Sequence, residues 1–176
     1  IKHSLIQDYD IYKEFNENYE NIYKLDNEYS AEILKKSVAI KAKIVSNDEF
    51  ERGDERIKLN YGHTVGHAIE KISNYNQYLH GEAVSIGMMV AASISMRMGY
   101  ISSQEVEQQQ KILLKYNLPV KLKDIDVDSI LEAIKMDKKN SNGKVRWVLL
   151  ESIGKAIISQ DVKEEIVIKS INDILI

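Results

Sequence analysis

The 176-residue chain contains no cysteine. Disulfides and thiolate metal sites are therefore excluded, and any metal must be held by nitrogen or oxygen. One proline and eight glycines leave few helix breakers, which argues for long helices over strand-and-turn architecture. A basic surplus is also missing: the formal net charge is -3, so no nucleic-acid partner is indicated. The most apolar run, 83–98, is too short and too serine-dotted to cross a bilayer, and no secretory leader is visible. A cytoplasmic protein without membrane contact is expected. What is present, 44% hydrophobic and 29% charged residues, describes an ordinary globular chain able to bury one sizeable core.

Apolar periodicity predicts a mainly α, multi-helix domain. One or two short helices are expected over 1–15, then a polar, tyrosine-rich loop over 16–27. A helix over 28–47 follows, with Asp26 as its N-cap. After an acidic loop at 49–55, a helix over 57–72 carries two histidines, and the apolar helix 83–98 ends at Gly99. Further helices are expected over 102–116, stopped before Pro119, and over 128–136. Two apolar runs, 145–150 and 155–159, flank Ile153-Gly154 and read as a small β-hairpin, before a last helix over 163–175.

Three of the four histidines fall within eighteen residues, at His63, His67 and His80. Imidazole is the commonest metal ligand, and four-residue spacing sets His63 and His67 on one helix face. Such pairs also occur on polar helix faces without a metal. Gly62 and Gly66 flank the pair. Glycine costs roughly 1 kcal/mol against alanine inside a helix, so each needs a packing or ligand-access reason. His80 precedes the apolar helix, where free N–H groups and the positive dipole end disfavour imidazolium. Glu82 is expected to cap that helix, or alternatively to orient His80. Lys41, Arg56, Lys138 and Lys139 flank the same constellation and are candidates for holding an anion, although any single lysine is ordinarily just a solvated surface group. Asn60, one helical turn before His63, is placed to aim its amide into the site. Core packing accounts for Met88, Met89, Met96, Met98 and Trp147.

In order along the chain stand Lys41-Ala42, Asp48-Glu49, Arg56-Ile57-Lys58-Leu59-Asn60-Tyr61-Gly62-His63-Thr64-Val65-Gly66-His67-Ala68-Ile69-Glu70, Leu79-His80-Gly81-Glu82-Ala83-Val84, and Asp137-Lys138-Lys139. With Val148-Leu149-Leu150 and Ile153-Gly154, this series resembles the C-terminal, metal- and substrate-binding domain of 3-dehydroquinate synthase. The Leu-Asn-x-Gly-His-Thr segment followed by Leu-His-Gly-Glu is far more specific than a histidine pair. The resemblance implies that 1–176 is a single helical domain, the C-terminal half of a larger two-domain enzyme whose N-terminal NAD-binding domain lies outside this chain. It also implies a lyase of the shikimate pathway that converts 3-deoxy-arabino-heptulosonate 7-phosphate to 3-dehydroquinate and phosphate. The cofactors would be NAD and a divalent metal, zinc or cobalt, and the full-length enzyme would be a homodimer.

By the same resemblance His63 and His80 are metal ligands, where spacing alone would have paired His63 with His67. His67 then faces the substrate together with Lys2, Arg56 and Asn60, while Lys41 and one of Lys138 or Lys139 contact its carboxylate or phosphate. A third metal ligand, a glutamate, would stand just before Ile1. Three alternatives stay open at this point: another sugar-phosphate cyclase, a metal-dependent polyol dehydrogenase of the same superfamily, and a non-catalytic helical interaction module. The last requires the three imidazoles to lie more than about 10 Å apart, too far to share one ion.

Overall fold

The computed structural model describes residues 1–50, 53–140 and 144–176, with 137–140 described by backbone only. Short helices α1 (Lys2–Gln7), α2 (Tyr9–Glu17) and α3 (Tyr19–Tyr23) lead into the long α4 (Asn27–Asn47). A 3-10 helix, Arg56–Asn60, precedes α5 (His63–Ile72), α6 (His80–Arg97), α7 (Ser103–Lys115) and α8 (Val127–Asn140). The chain closes with a hairpin of β1 (Trp147–Ser152) and β2 (Lys155–Ser159), then α9 (Glu164–Asn172). The expected mainly α fold with one small hairpin is what forms.

Helix α6 is the axis of the fold. Every residue from Ala83 to Ser95 is buried, and α5, α7, α9 and β1 all pack on it. A helix enclosed on every side carries apolar residues all round rather than on one stripe. Two of its buried serines tie it to its neighbours: Ser95 Oγ donates to Ala91 O at 2.8 Å and accepts from Leu150 N at 3.0 Å, which anchors β1. Ser93 Oγ donates to Asp173 Oδ2 at 2.7 Å, and Arg97 closes on the same carboxylate, tying α6 to the end of α9. The hairpin is antiparallel with Leu149 opposite Ile157, and its turn joins the N-terminal helices through Gly154 N to Leu5 O at 2.8 Å.

Capping explains most boundaries. Asp26 accepts from the N–H groups of Glu28 and Tyr29, as expected for the start of α4. Ser102 and Glu105 form a reciprocal box at the start of α7. Three expectations need correction. The 16–27 loop contains α3, because Tyr19 stacks with Tyr23 and meets Tyr116 edge-on, tertiary contacts that periodicity cannot show. The apolar helix starts at His80 rather than 83, since Glu82 Oε2 accepts the Leu79 N–H at 2.8 Å and nucleates a turn earlier. The proposed 57–72 helix is two elements, broken where Gly62 takes a left-handed φ of 80. The 49–55 loop is only partly described, residues 51 and 52 lying outside the described set.

Burial raises the Asp173 carboxyl, but hydrogen bonds from Ser93 and Arg97 and the Arg97 charge outweigh it and hold the group below the usual carboxylate range. A lowered folded value stabilises above the unfolded carboxylate pKa, and that stabilisation fades as pH falls through the folded value. Asp173→Asn is therefore expected to lower Tm by about 2–4 °C at pH 7, roughly 1 kcal/mol for a half-exposed group. The deficit should shrink as pH falls below the ordinary carboxylate pKa of about 4, in thermal melts across pH.

Candidate metal and substrate site

Helices α5 and α6 form an antiparallel pair whose backbones nearly touch. A Cβ on Gly87 would fall 2.0 Å from Gly62 O, and one on Gly66 would fall 3.1 Å from Val84 Cα. A side chain on Gly62 would meet Val84 O at 2.7 Å. The packing reason expected for Gly62 and Gly66 is thus this close approach, with Gly87 as the partner that the sequence did not single out. Gly62 and Gly87 face each other, then Gly66 and Val84, then Glu70 and His80. The N-terminal residue of α5, His63, and that of α6, His80, are thereby held on one side of the pair.

The three imidazoles converge. Ring centroids are 5.2 Å apart for His63 and His67, 5.3 Å for His63 and His80, and 5.9 Å for His67 and His80. The interaction-module alternative, which needed separations beyond about 10 Å, is overturned. Hydrogen bonding orients two of the rings. His63 Nδ1 donates to Tyr61 O at 3.2 Å, leaving Nε2 as the free lone pair, 3.5 Å from Lys2 Nζ. His80 Nδ1 donates to Glu70 Oε1 at 3.0 Å, which leaves its Nε2 free as well. No hydrogen bond to the His67 ring is found among the described residues.

Electrostatics favour neutral imidazole at His63. Burial, then the Lys2 charge, lower it to about 4, against a smaller opposing effect of its bond to Tyr61. A neutral ring is the form that ligates metal. Lys2 Nζ donates to Leu59 O at 2.6 Å, and burial followed by the nearby Lys41 lowers its pKa to about 8. Lys41 itself is exposed on α4, next to Ser37, which binds His3 Nδ1 at 2.7 Å.

The other expected site residues fall as follows. Arg56 starts the 3-10 helix; its N–H reaches Asp48 Oδ2 at 3.2 Å and its guanidinium donates to Glu49 O at 2.9 Å. Asp48 thus closes the loop, accepting from Gly53 N at 3.0 Å as well as from Arg56. Asn60 is exposed at the end of the 3-10 helix, so it does not share a helix with His63 as the continuous-helix reading assumed. The side chains of Lys138 and Lys139 lie outside the described residues. A cleft of about 330 Å³ opens between α5 and α8, walled by Thr64, His67, Glu70 and Lys71 on one side and by Ala133 and Ile134 on the other. A second hollow of about 290 Å³ between α8, α9 and β1 contains none of the candidate site residues.

Sequence reasoning missed two residues. Glu70 sits seven positions after His63 and three after His67, so helical spacing alone would have put it on their face. Gln109 is fully buried; it accepts from Tyr61 OH at 2.8 Å and donates to Met88 O at 2.9 Å, pinning the residue whose carbonyl orients His63. Its signal was a polar residue on the apolar stripe of α7, between Val106 and Ile112.

The donor set is nitrogen and oxygen, and one ligand atom each from His67, Glu70 and His80 lie within 4.8 Å of one another. This grouping fits a divalent ion such as zinc; it leaves out His63, whose Nε2 instead meets Lys2 Nζ at 3.5 Å. The fold is shared with solved sugar-phosphate-type cyclases. A 2-epi-5-epi-valiolone synthase from Streptomyces hygroscopicus subsp. jinggangensis 5008, with NAD+ and Zn2+ bound, aligns over 98% of this chain and 48% of its own with TM-score 0.87 at 18% identity. A 2-deoxy-scyllo-inosose synthase in complex with carbaglucose-6-phosphate, NAD+ and Co2+ aligns over 98% and 49% with TM-score 0.74 at 24% identity. The 3-dehydroquinate synthase from Acinetobacter baumannii (strain AYE) is 43% identical over 171 residues, 97% of this chain and 47% of the relative. The family description "3-dehydroquinate synthase C-terminal" matches residues 1–140, and the chain belongs to that family. It spans about half the length of the curated relatives it matches, 47% for the Acinetobacter enzyme.

The glycine contact gives a direct test. Gly87→Ala is expected to destabilise by about 1–3 kcal/mol, because the new methyl meets backbone that cannot step aside. Gly81→Ala, whose Cβ would meet nothing within 4 Å, is expected to stabilise by about 0.4–1 kcal/mol. Urea unfolding of the two variants measures both signs.

Proposed function

We propose that this chain is the metal- and substrate-binding half of a 3-dehydroquinate synthase, the NAD- and metal-dependent lyase that converts 3-deoxy-arabino-heptulosonate 7-phosphate to 3-dehydroquinate and phosphate. The observation that carries the reading is the convergence of three imidazoles on one point, two of them with Nε2 left free. The 43% identity to a named synthase supports this reaction over those of the two solved synthases, which match at 18% and 24%. A polyol dehydrogenase has no observation in its favour.

In this reading His63 and His80 hold the metal, which when bound would act as a Lewis acid on substrate oxygens. NAD is held mainly by a separate nucleotide-binding half, as in the two-domain resemblance. The protein's own task is to position a flexible, doubly anionic substrate. Lys2 and Lys41 stand together beside the imidazoles, and Lys2, lowered to about 8, is mostly cationic at pH 7 yet able to release a proton. Arg56 and Asn60, at the two ends of the 3-10 helix, would contact the substrate, and Lys138 or Lys139 would bind its anionic groups. His67, unbonded at its ring nitrogens and facing the α5–α8 cleft, is the group left to exchange a proton with substrate. Homodimeric assembly and a cytoplasmic location complete the proposal.

The 176-residue chain supplied with NAD and zinc is expected to form no dehydroquinate, whereas fusing it to the N-terminal half of the Acinetobacter synthase should restore turnover. In that fusion His63→Ala and His80→Ala should each lower kcat/KM by at least about 100-fold and reduce bound zinc, beyond the loss from an indirect partner. His67→Ala should lose turnover and keep the zinc. Zinc analysis alongside a coupled dehydroquinate assay separates the three, and full activity in the His63 and His80 variants would overturn the assignment.

A further inference from the structure

We propose that Glu70 is a positioning residue for His80: its buried carboxylate takes the ring's Nδ1–H, fixes the tautomer, and aims Nε2 into the site. The proposal rests on His80 being a metal ligand, and deepens that reading by saying what makes it one.

Glu70 is 7% exposed, on the face of α5 that also buries Val65, Gly66, Ala68 and Ile69. Glutamate is almost never buried this far without a partner. No Lys or Arg pairs with it among the described residues; its side-chain partner is His80, at 3.0 Å. His80 has the opposite problem. Its side chain is 59% exposed at the first position of α6, so packing against its neighbours does not by itself fix the ring. An imidazole in that position would rotate and sample both tautomers, and in one of them Nε2 carries a proton and cannot ligate. A carboxylate fixed from the neighbouring helix removes both freedoms at once, and its charge raises the ring's basicity toward a cation. Glu82, the other acid beside His80, is occupied with the Leu79 N–H at 2.8 Å and does not duplicate the role.

A second observation points the same way. Of the three converging rings, the two read as metal ligands are those whose Nδ1 meets an acceptor: the Tyr61 carbonyl for His63 and the Glu70 carboxylate for His80. His67, read as the proton-exchanging ring, has no such acceptor. The hydrogen-bond pattern thus divides the rings as the family motif does, although neither was used to derive the other.

Long-range 1H–15N correlation spectra of the metal-free 176-residue chain near neutral pH read the tautomer directly. The parent should show His80 as Nδ1–H. Glu70→Leu should shift it toward the Nε2–H form, and Glu70→Gln, whose amide oxygen still accepts, should keep Nδ1–H. Zinc titration should find Kd weakened about 10–100-fold in Glu70→Leu and only a few-fold in Glu70→Gln. A purely structural Glu70 would move the melting temperature of the metal-free chain and leave the tautomer in place. The inference is overturned if His80 is Nε2–H in the parent, or if zinc binds Glu70→Leu as tightly as the parent. It is equally overturned if Glu70→Gln loses zinc by 1000-fold or more, which would make the carboxylate itself a ligand. If Glu70→Leu does not fold, the parent tautomer and the Glu70→Gln affinity decide the matter. If the 176-residue chain binds no zinc, the titration is read instead in its fusion to the N-terminal half of the Acinetobacter synthase, which supplies the glutamate expected before Ile1; a fusion that binds no zinc counts against His80 as a ligand, while the tautomer comparison still tests Glu70.

Discussion

The near-contact of two helix backbones, α5 against α6, is the constraint on which the site depends. Gly62, Gly66 and Gly87 remove the side chains that would hold those backbones apart. Three glycines in or beside helices cost a few kcal/mol of helix propensity in total. What the fold gains is a separation set by backbone rather than by deformable side chains. Histidines at the first position of each helix then reach a common point, with ring centroids 5.3 Å apart. An added methyl at the contact would change that spacing before it changed the ligands themselves.

Charge around the rings is lopsided. Lys41 stands close enough to help lower Lys2, and His63 feels Lys2 and the other two imidazoles. Against this cationic field the buried acid is Glu70. A divalent cation entering here gains from neutral imidazoles and from one carboxylate acting through His80, while the lysines oppose it. The same lysines attract an anionic substrate. In the proposed reading the two ligands would complement each other: a phosphorylated, carboxylate-bearing substrate would screen the lysines from the metal, and the metal would complete the positive face that the substrate meets. Cationic surroundings weaken binding of an isolated metal ion and strengthen binding of metal and substrate together.

How far the chain could be read before its coordinates is settled by particular residues. The mainly α architecture, the hairpin around Ile153-Gly154, and the cap at Asp26 follow from local patterns and all form. The His63–His67–His80 cluster was visible because histidine is rare and the three lie close in sequence. Helix starts were misjudged at His80, and a break at Gly62 was overlooked, because both are decided by contacts between helices. Tyr19 and Tyr23 looked like loop residues for want of a visible partner; that partner, Tyr116, is ninety-odd residues away. Gln109 stayed hidden for the same reason. Glu70 is different: its helical spacing from both histidines was on the page, and it was passed over because a glutamate on an amphipathic helix is usually solvated.

Rigidity beneath the site has a definite source. Tyr61 is wholly buried, and its hydroxyl reaches Gln109 on α7 and the Met88 carbonyl on α6. Desolvation drives its phenol pKa far upward, so it stays a donor at every pH the fold survives. The residue whose carbonyl orients His63 is therefore clamped to two helices. At the far end of α6, Ser93, Ser170, Arg97 and Asp173 fasten the same helix to α9. Polar networks in a core are costly when partly satisfied and ordering when complete, and these two bracket the all-apolar middle of α6. Such bracketing resists sliding or rotation of α6 against its neighbours, the motions that would carry His80 away from His63. Ligands held within fractions of an ångström by their scaffold need little reorganisation when an ion arrives. The geometry of the rings is accordingly a property of the protein fold, set before any metal binds.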